Sequence, residues 1–460
     1  MQNRDTFKSS WGFTLACIGS AVGMGNIWRF PIMVSIYGGL TFLLPYFFFA
    51  ILIASSGVMG EIALGRFAAA GPVGAFGKCT KDRFGTSKPG RIIGAVPVIG
   101  ALGMAIGYTV VMGWITRYFF MGITGSLYEM GTDMDIIVGS FGTIAPEAST
   151  LSEAVKMMVT GGIFNVGNTG WLIGGLVIAL LIISFGVSGG IEKTNKILMP
   201  ALFALLVILG IYIVTLNGAS EGYKYIFTLK PEGLADPKVW IYAFGQAFFS
   251  LSVAGNGSVI YGSYLSKKAD IPSSARVIAL FDTIAAMLAA CVILPAMAAG
   301  GVEPSSGGPG LMFIYLVNVL NNMTGGRVIG MIFFICVFFA GTSSIINLYE
   351  VPIAWMQDNL KTGRIPSVFI VGTVGVVTAI LIQPWTSQWM DMVSIYICPI
   401  GALLAGIMFF WILKKENVLR AVNEGAKKKV GAWFIPLGKY LYCACALVAL
   451  IAGILLNGIG

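Results

Sequence analysis

Long apolar runs recur along the whole chain, separated by short charged or Gly/Pro-rich segments. A hydrocarbon core of ~30 Å takes about 20 residues at the helical rise. On that measure the pattern predicts eleven membrane-spanning helices, at roughly 11–37, 40–65, 92–122, 168–186, 195–216, 238–264, 275–299, 328–356, 366–383, 391–413 and 434–457. The expected fold class is therefore all-α and integral to a membrane, with residues 1–460 forming one transmembrane domain. Placing the N-terminus in the cytoplasm puts 22 of the 29 Lys and Arg in inner segments (1–10, 66–91, 187–196, 265–276, 357–365 and 414–439). The other seven are Arg29, Arg117, Lys156, Lys224, Lys230, Lys238 and Arg327. This asymmetry obeys the positive-inside rule. It predicts a multi-pass cell-membrane protein with Gly460 outside.

Composition agrees: 57% of residues are hydrophobic and 11% charged, against about 25% charged in soluble domains. The net charge of +9 would suggest nucleic acid in a soluble protein, but here it marks inner loops. The stretch Lys427-Lys428-Lys429 is expected to meet anionic headgroups of the lipid bilayer. The first apolar run continues into a Gly-rich segment without a small-residue cleavage site, so no cleavable signal is expected. Cys17, Cys79, Cys291, Cys336, Cys398, Cys443 and Cys445 fall in spans or on the inner side, which predicts no disulfide framework. With no histidine, His-based acid–base chemistry, His metal sites and a Ser-His-Asp triad are excluded. No phosphate-cradling GxxxxGK[ST] motif is present. These features argue against an enzyme or an ATP-driven pump, and nothing signals an obligate protein partner.

Two spans are interrupted. The first reads GSAVGMGNIWRFP over 19–31, with Gly19, Gly23 and Gly25 close together before Asn26, Arg29 and Pro31. Small residues also serve helix packing, but packing does not call for that polar sequel. A helix broken at mid-membrane is tolerated where its freed backbone groups face a cavity or ions. The second interruption, FFSLSVAGNGS over 248–258, lies five spans later. Two unwound spans in corresponding positions point to inverted repeats, about 11–216 and 238–413, around a shared site, with 434–457 as an extra helix. Helix N-termini there suit an anion and free carbonyls a cation. Two outer segments, about 123–167 and 300–327, are long enough to fold over the mouth, and 311–316 reads as a short helix dipping inward.

These motifs, with Glu61 in GEIALGR and the Thr342-Ser343-Ser344 run, resemble the neurotransmitter:sodium symporter family in its bacterial amino-acid branch. The similarity runs from about residue 4 to the tenth span and matches the bacterial leucine-transporter fold in an eleven-span variant. It implies sodium-coupled symport of a neutral amino acid into the cell by alternating access, with two co-transported Na⁺. The first Na⁺ would be held by the Ala21 carbonyl, Asn26, Ser250, Asp282 and the substrate carboxylate. The second would be held by the carbonyls of Gly19, Val22 and Phe339 and the hydroxyls of Thr342 and Ser343. The substrate carboxylate would meet Met24 and Gly25 N–H groups and the Tyr108 hydroxyl. Its ammonium would meet the carbonyls of Ala21, Phe249 and Ser250 and the Ser252 hydroxyl, under a lid of Phe249 over Tyr108. Arg29 with Asp391 would form the outer gate, and Arg4 with Asp358, beside Phe7, the inner gate. Gly190 and Pro200 match the family's spacing for local unwinding of the fifth span.

The chain departs from the family at Ala254-Gly255-Asn256 and at Asn347. Gly255 and Asn347 would line a side-chain pocket with Met104, Gly107, Ser20 and Ser343, larger and more polar than one for a small aliphatic group. Asp282 stands where the family commonly has Asn, which implies chloride-independent transport. Proton coupling, or a non-transporting sensor or channel on the same scaffold, remain the alternatives.

Overall fold

The computed structural model describes residues 5–148, 150–161, 167–253, 256–301 and 310–458. Each of the eleven expected segments carries helix, and the described residues contain no strand. Seven helical stretches are long and apolar enough to cross a membrane, among them Leu40–Ala68, Lys88–Thr124, Val187–Val214, Ile271–Ala299 and Gly326–Leu360. The fourth span is the shorter apolar helix Thr169–Ser184. The first and sixth are split into pieces, so neither counts as one long helix. The expected unwinding is thus present in both.

In the first span, helix Ser10–Ala21 gives way at Val22, whose ψ of 95° is extended. A π-helical turn, Gly25–Arg29, and the helix Phe30–Tyr37 follow. Pro31 sits in the first turn of that last piece, where a missing N–H costs nothing. The sixth span runs as Pro237–Ser250 and resumes as Gly257–Ser263. Between them Ser252 (φ 55°) and Asn256 (φ 51°) adopt left-handed conformations, which non-glycine residues seldom take.

Glycines set how closely the spans approach. A Cβ on Gly65 would lie 1.9 Å from the Val259 carbonyl oxygen, and one on Gly262 would lie 2.4 Å from that of Ile62. The second span and the inner piece of the sixth therefore touch backbone to backbone. The third and eighth spans pack along each other, and the first lies against the fifth, seventh and eighth. The outer segments fold as short helices, Ser126–Glu129, Met134–Gly142 and Leu151–Gly161. The 311–316 run forms a buried π-helical turn, Leu311–Tyr315, continuing into Leu316–Asn322. Phe313 there stacks on Phe141 at 5.3 Å between ring centroids.

Candidate functional site

The two breaks lie side by side and satisfy one another's backbone. An α-helix would send the Gly23 N–H to Gly19; here it donates to Asn26 Oδ1 at 3.2 Å. The next free donor, Met24 N–H, reaches the Tyr108 hydroxyl at 3.0 Å. The Ser252 hydroxyl donates to the Ser20 carbonyl at 2.7 Å, joining the two breaks directly. Gln246 Nε2, on the outer piece of the sixth span, donates to the Gly25 carbonyl at 3.0 Å. This is the accounting a broken helix requires in a medium without water.

Asn26, Ser250 and Asp282 meet at one buried point. Asn26 Nδ2 donates to Asp282 Oδ1 at 2.8 Å and to Ser250 Oγ at 3.1 Å. The Ser250 hydroxyl donates to Asp282 Oδ2 at 2.8 Å. Asp282 is fully buried, both its oxygens accept from neutral donors, and no cationic side chain lies within ion-pair distance of it among the described residues. The second expected cation position gathers Gly19 and Ser343, since a Cβ on Gly19 would lie 3.1 Å from Ser343 Cβ. Thr342 is buried beside them, with its hydroxyl unpartnered among the described residues. Val22 and Phe339 lie on the same two spans, Val22 at the break itself.

A cavity of about 380 Å³ opens from the breaks toward Arg29, Thr386 and Ser387. Ala21, Met24 and Gly25 form its floor on the first span, with Phe249, Ser250 and Ser252 from the sixth. Met104 and Tyr108 line it from the third span and Asn347 from the eighth. Gly25 faces open space: a Cβ there would meet nothing within 4 Å and would intrude on the cavity.

Two expected lining residues are corrected. Ser343 is not on the wall; the next residue, Ser344, is. One residue is about 100° of helix turn, and that turns Ser343 onto the first span and Ser344 toward Gly23 and Tyr108. Gly107 faces the tenth span instead, where a Cβ would lie 2.2 Å from Met390 Sδ. Arg4, Ala254 and Gly255 lie outside the described residues. Trp28, Trp114, Ser344 and Ser394 join the wall beyond the expected set, and Gln246 joins the hydrogen-bond network.

Arg29 and Asp391 both line the cavity, yet no ion pair joins them, and the buried Arg29 Nε has no hydrogen-bond partner among the described residues. The opposite end is closed. Phe7 is buried, edge-on to Phe13 and Tyr261 at 5.5 and 5.7 Å. Asp5 accepts from the Val187 N–H. Glu192 accepts from the Lys8 N–H at 2.7 Å, the Ser9 hydroxyl at 2.8 Å and Lys196 at 2.6 Å. Asp358 accepts from the Gly71 N–H at 3.2 Å. The strongest brace was not foreseen: Arg364 grips Glu350 through two bonds of 2.8 and 3.0 Å. Tyr264 donates to the same carboxylate at 2.6 Å, and Arg364 Nε donates to the Ile183 carbonyl at 2.8 Å. An ionisable residue such as Glu350 inside an apolar span is itself a signal of function.

A model of the sodium:neurotransmitter symporter family matches residues 4–134 and 142–457. The chain belongs to that family. It is 28% identical to an uncharacterized sodium-dependent transporter of Methanocaldococcus jannaschii, over 99% of this chain and 90% of the other. It is 30% identical to an uncharacterized sodium-dependent transporter of Haemophilus influenzae, over 81% and 80%. The crystal structure of MhsT in complex with L-phenylalanine superposes with a TM-score of 0.80, at 30% identity, covering 98% of this chain and 100% of that one. Sodium:neurotransmitter symporters are transporters and not enzymes, and this member is a multi-pass membrane protein.

Proposed function

We propose that this protein is a sodium-coupled symporter that carries an amino acid into the cell by alternating access, two Na⁺ ions accompanying each substrate. The observation that carries the reading is the buried Asn26–Ser250–Asp282 cluster, which borders the 380 Å³ cavity through Ser250. A buried carboxylate supplied only with neutral donors leaves a negative charge for a cation to balance. The L-phenylalanine in the MhsT complex supports an amino-acid substrate in the corresponding place. The Gly25 N–H and the Tyr108 hydroxyl suit its carboxylate, and the Ser252 region its ammonium. With the N-terminus cytoplasmic, the open cavity and sealed Phe7 end correspond to a state facing outward. Residues 11–216 and 238–413 then act as the two repeats, with Phe249 as the lid.

In this reading Asp282 provides the negative charge next to the first Na⁺, and no chloride is required. Two cations in one low-dielectric site repel strongly, and a fixed carboxylate offsets that repulsion. The test is amino-acid uptake into proteoliposomes under a Na⁺ gradient, with K⁺, choline and proton-gradient controls. Uptake should vanish without external Na⁺; full activity on a proton gradient alone overturns the reading. Replacing chloride by gluconate should leave wild type unchanged, while Asp282→Asn should be inactive or acquire a chloride requirement.

A further inference from the structure

We propose that Asn195 supplies a further oxygen to the second Na⁺ position, on the side from which that ion leaves for the cytoplasm. The proposal rests on the sodium-coupled reading above and concerns a residue outside the ligand set given there. Asn195 is fully buried in the fifth span. Its Nδ2 donates to the Ile191 carbonyl at 2.9 Å, which fixes the orientation of the amide. The other end of the amide, Oδ1, then points away from its own helix and receives no hydrogen bond among the described residues. A buried acceptor left without a donor is a feature that calls for an explanation.

The direction of that oxygen is informative. A Cβ on Gly19 would fall 2.1 Å from Asn195 Oδ1 and 3.1 Å from Ser343 Cβ. The amide oxygen therefore rests at the contact between the first and eighth spans, where Gly19 and Ser343 meet. The Thr342 hydroxyl, on the residue next to Ser343 in the chain, is a second buried oxygen with no partner among the described residues. Of the two, the Asn195 amide oxygen cannot donate and lies against Gly19. Neutral amide and hydroxyl oxygens are the hard ligands an alkali cation takes, and they are cheaper to bury than carboxylates.

Asn195 also sits between two irregularities of its span. A π-helical turn, Val187–Ile191, precedes it, and Pro200 follows inside Glu192–Val214, withholding one helix N–H. Opening of this stretch admits water past Asn195 before it reaches Gly19. The amide oxygen is thus placed to hold the ion while the Gly19 side of its shell is exchanged for water. The competing account is a weak contact between Oδ1 and the Gly19 Cα–H, a packing feature only.

The two accounts separate in a Na⁺ titration of the melting temperature of the purified full-length protein, at constant ionic strength with choline, alongside direct ²²Na⁺ binding. Asn195→Leu keeps the volume and removes the oxygen; it should raise the half-saturating Na⁺ concentration about fivefold or more. Asn195→Asp keeps an oxygen and adds charge; it should lower that concentration about threefold or more. In a Thr342→Val background, where the second position is already damaged, Asn195→Leu should add little. Midpoints within twofold of wild type in both single variants, even with lowered melting temperatures, overturn the proposal in favour of packing. If Asn195→Leu does not fold, an unchanged or raised midpoint in Asn195→Asp overturns it alone. A wild-type protein that binds amino acid with no Na⁺ dependence fails in a different way: it removes the sodium-coupled reading itself.

Discussion

At the Arg29 end of the bundle, two opposite charges stand around an open cavity without joining; at the Phe7 end, charged groups are tied together across four segments. Arg29 and Asp391 share a wall but form no ion pair, whereas Arg364 and Glu350 meet through two short bonds. The buried braces at the inner end also hold Tyr264 and the end of the fourth span. A transporter that alternates must exchange these two conditions. If the cavity faces outward, as proposed, the free energy of that state lies in the contacts around Glu350, with Arg29 and Asp391 available for closure.

Several substitutions break or sharpen that contrast. The largest effect is expected at Glu350, which is wholly buried. Glu350→Ala strands Arg364 and removes the acceptor of Tyr264, and unpairing a buried ion costs about 3–5 kcal/mol. Thermal unfolding should show a large drop, and a cysteine placed on the cytoplasmic path should become more reactive. Stability equal to wild type would mean that the inner brace does not hold the outward-facing state. Arg29→Ala should do the reverse: little change in melting temperature, because it forms no ion pair among the described residues, but at least about a tenfold fall in Na⁺-driven uptake, reflecting lost closure (about 1.4 kcal/mol). An equal fall in stability and uptake would show that Arg29 is braced after all. The smallest effect is expected from Glu192→Gln, which weakens its ties to Lys196, Lys8 and Ser9. Lys196 is 41% exposed, so about 1 kcal/mol is expected. Limited proteolysis of the N-terminal segment should then speed up several-fold, with uptake retained.

The two breaks were legible because their causes are local. Gly19, Gly23 and Gly25 followed by Asn26 and Pro31 weaken a helix whatever surrounds it, and Ser252 and Asn256 mark the second break in the same way. The residues that answer those breaks were harder to read. Gln246 is a single polar position in an apolar helix, Ser344 is one of three adjacent hydroxyl residues and Asn195 lies in the polar run 192–196, and their roles depend on which neighbour each helix face meets. Ser343 and Ser344 differ by one step of register, enough to send one to the first span and the other to the cavity. The sequence makes Gly107 a cavity-lining candidate, and only the position of Met390, just before the tenth span, reveals what it faces. The separation of Arg29 from Asp391 belongs to one conformation, and a sequence encodes both.

The glycine contact between the second span and the inner piece of the sixth has a mechanical consequence. With Gly65 against the Val259 carbonyl and Gly262 against that of Ile62, no side chain separates the two backbones, and neither can slide without collision. The seven residues Gly257–Ser263 therefore travel as cargo strapped to a longer beam. Rotation within the sixth span must be taken up at the left-handed joint that ends at Asn256. Spin labels on Ala68 and Lys267, at the inner ends of the beam and of the strapped piece, should keep a constant separation as Na⁺ and substrate are added. Labels on Trp240 and Lys267, on either side of the joint, should not.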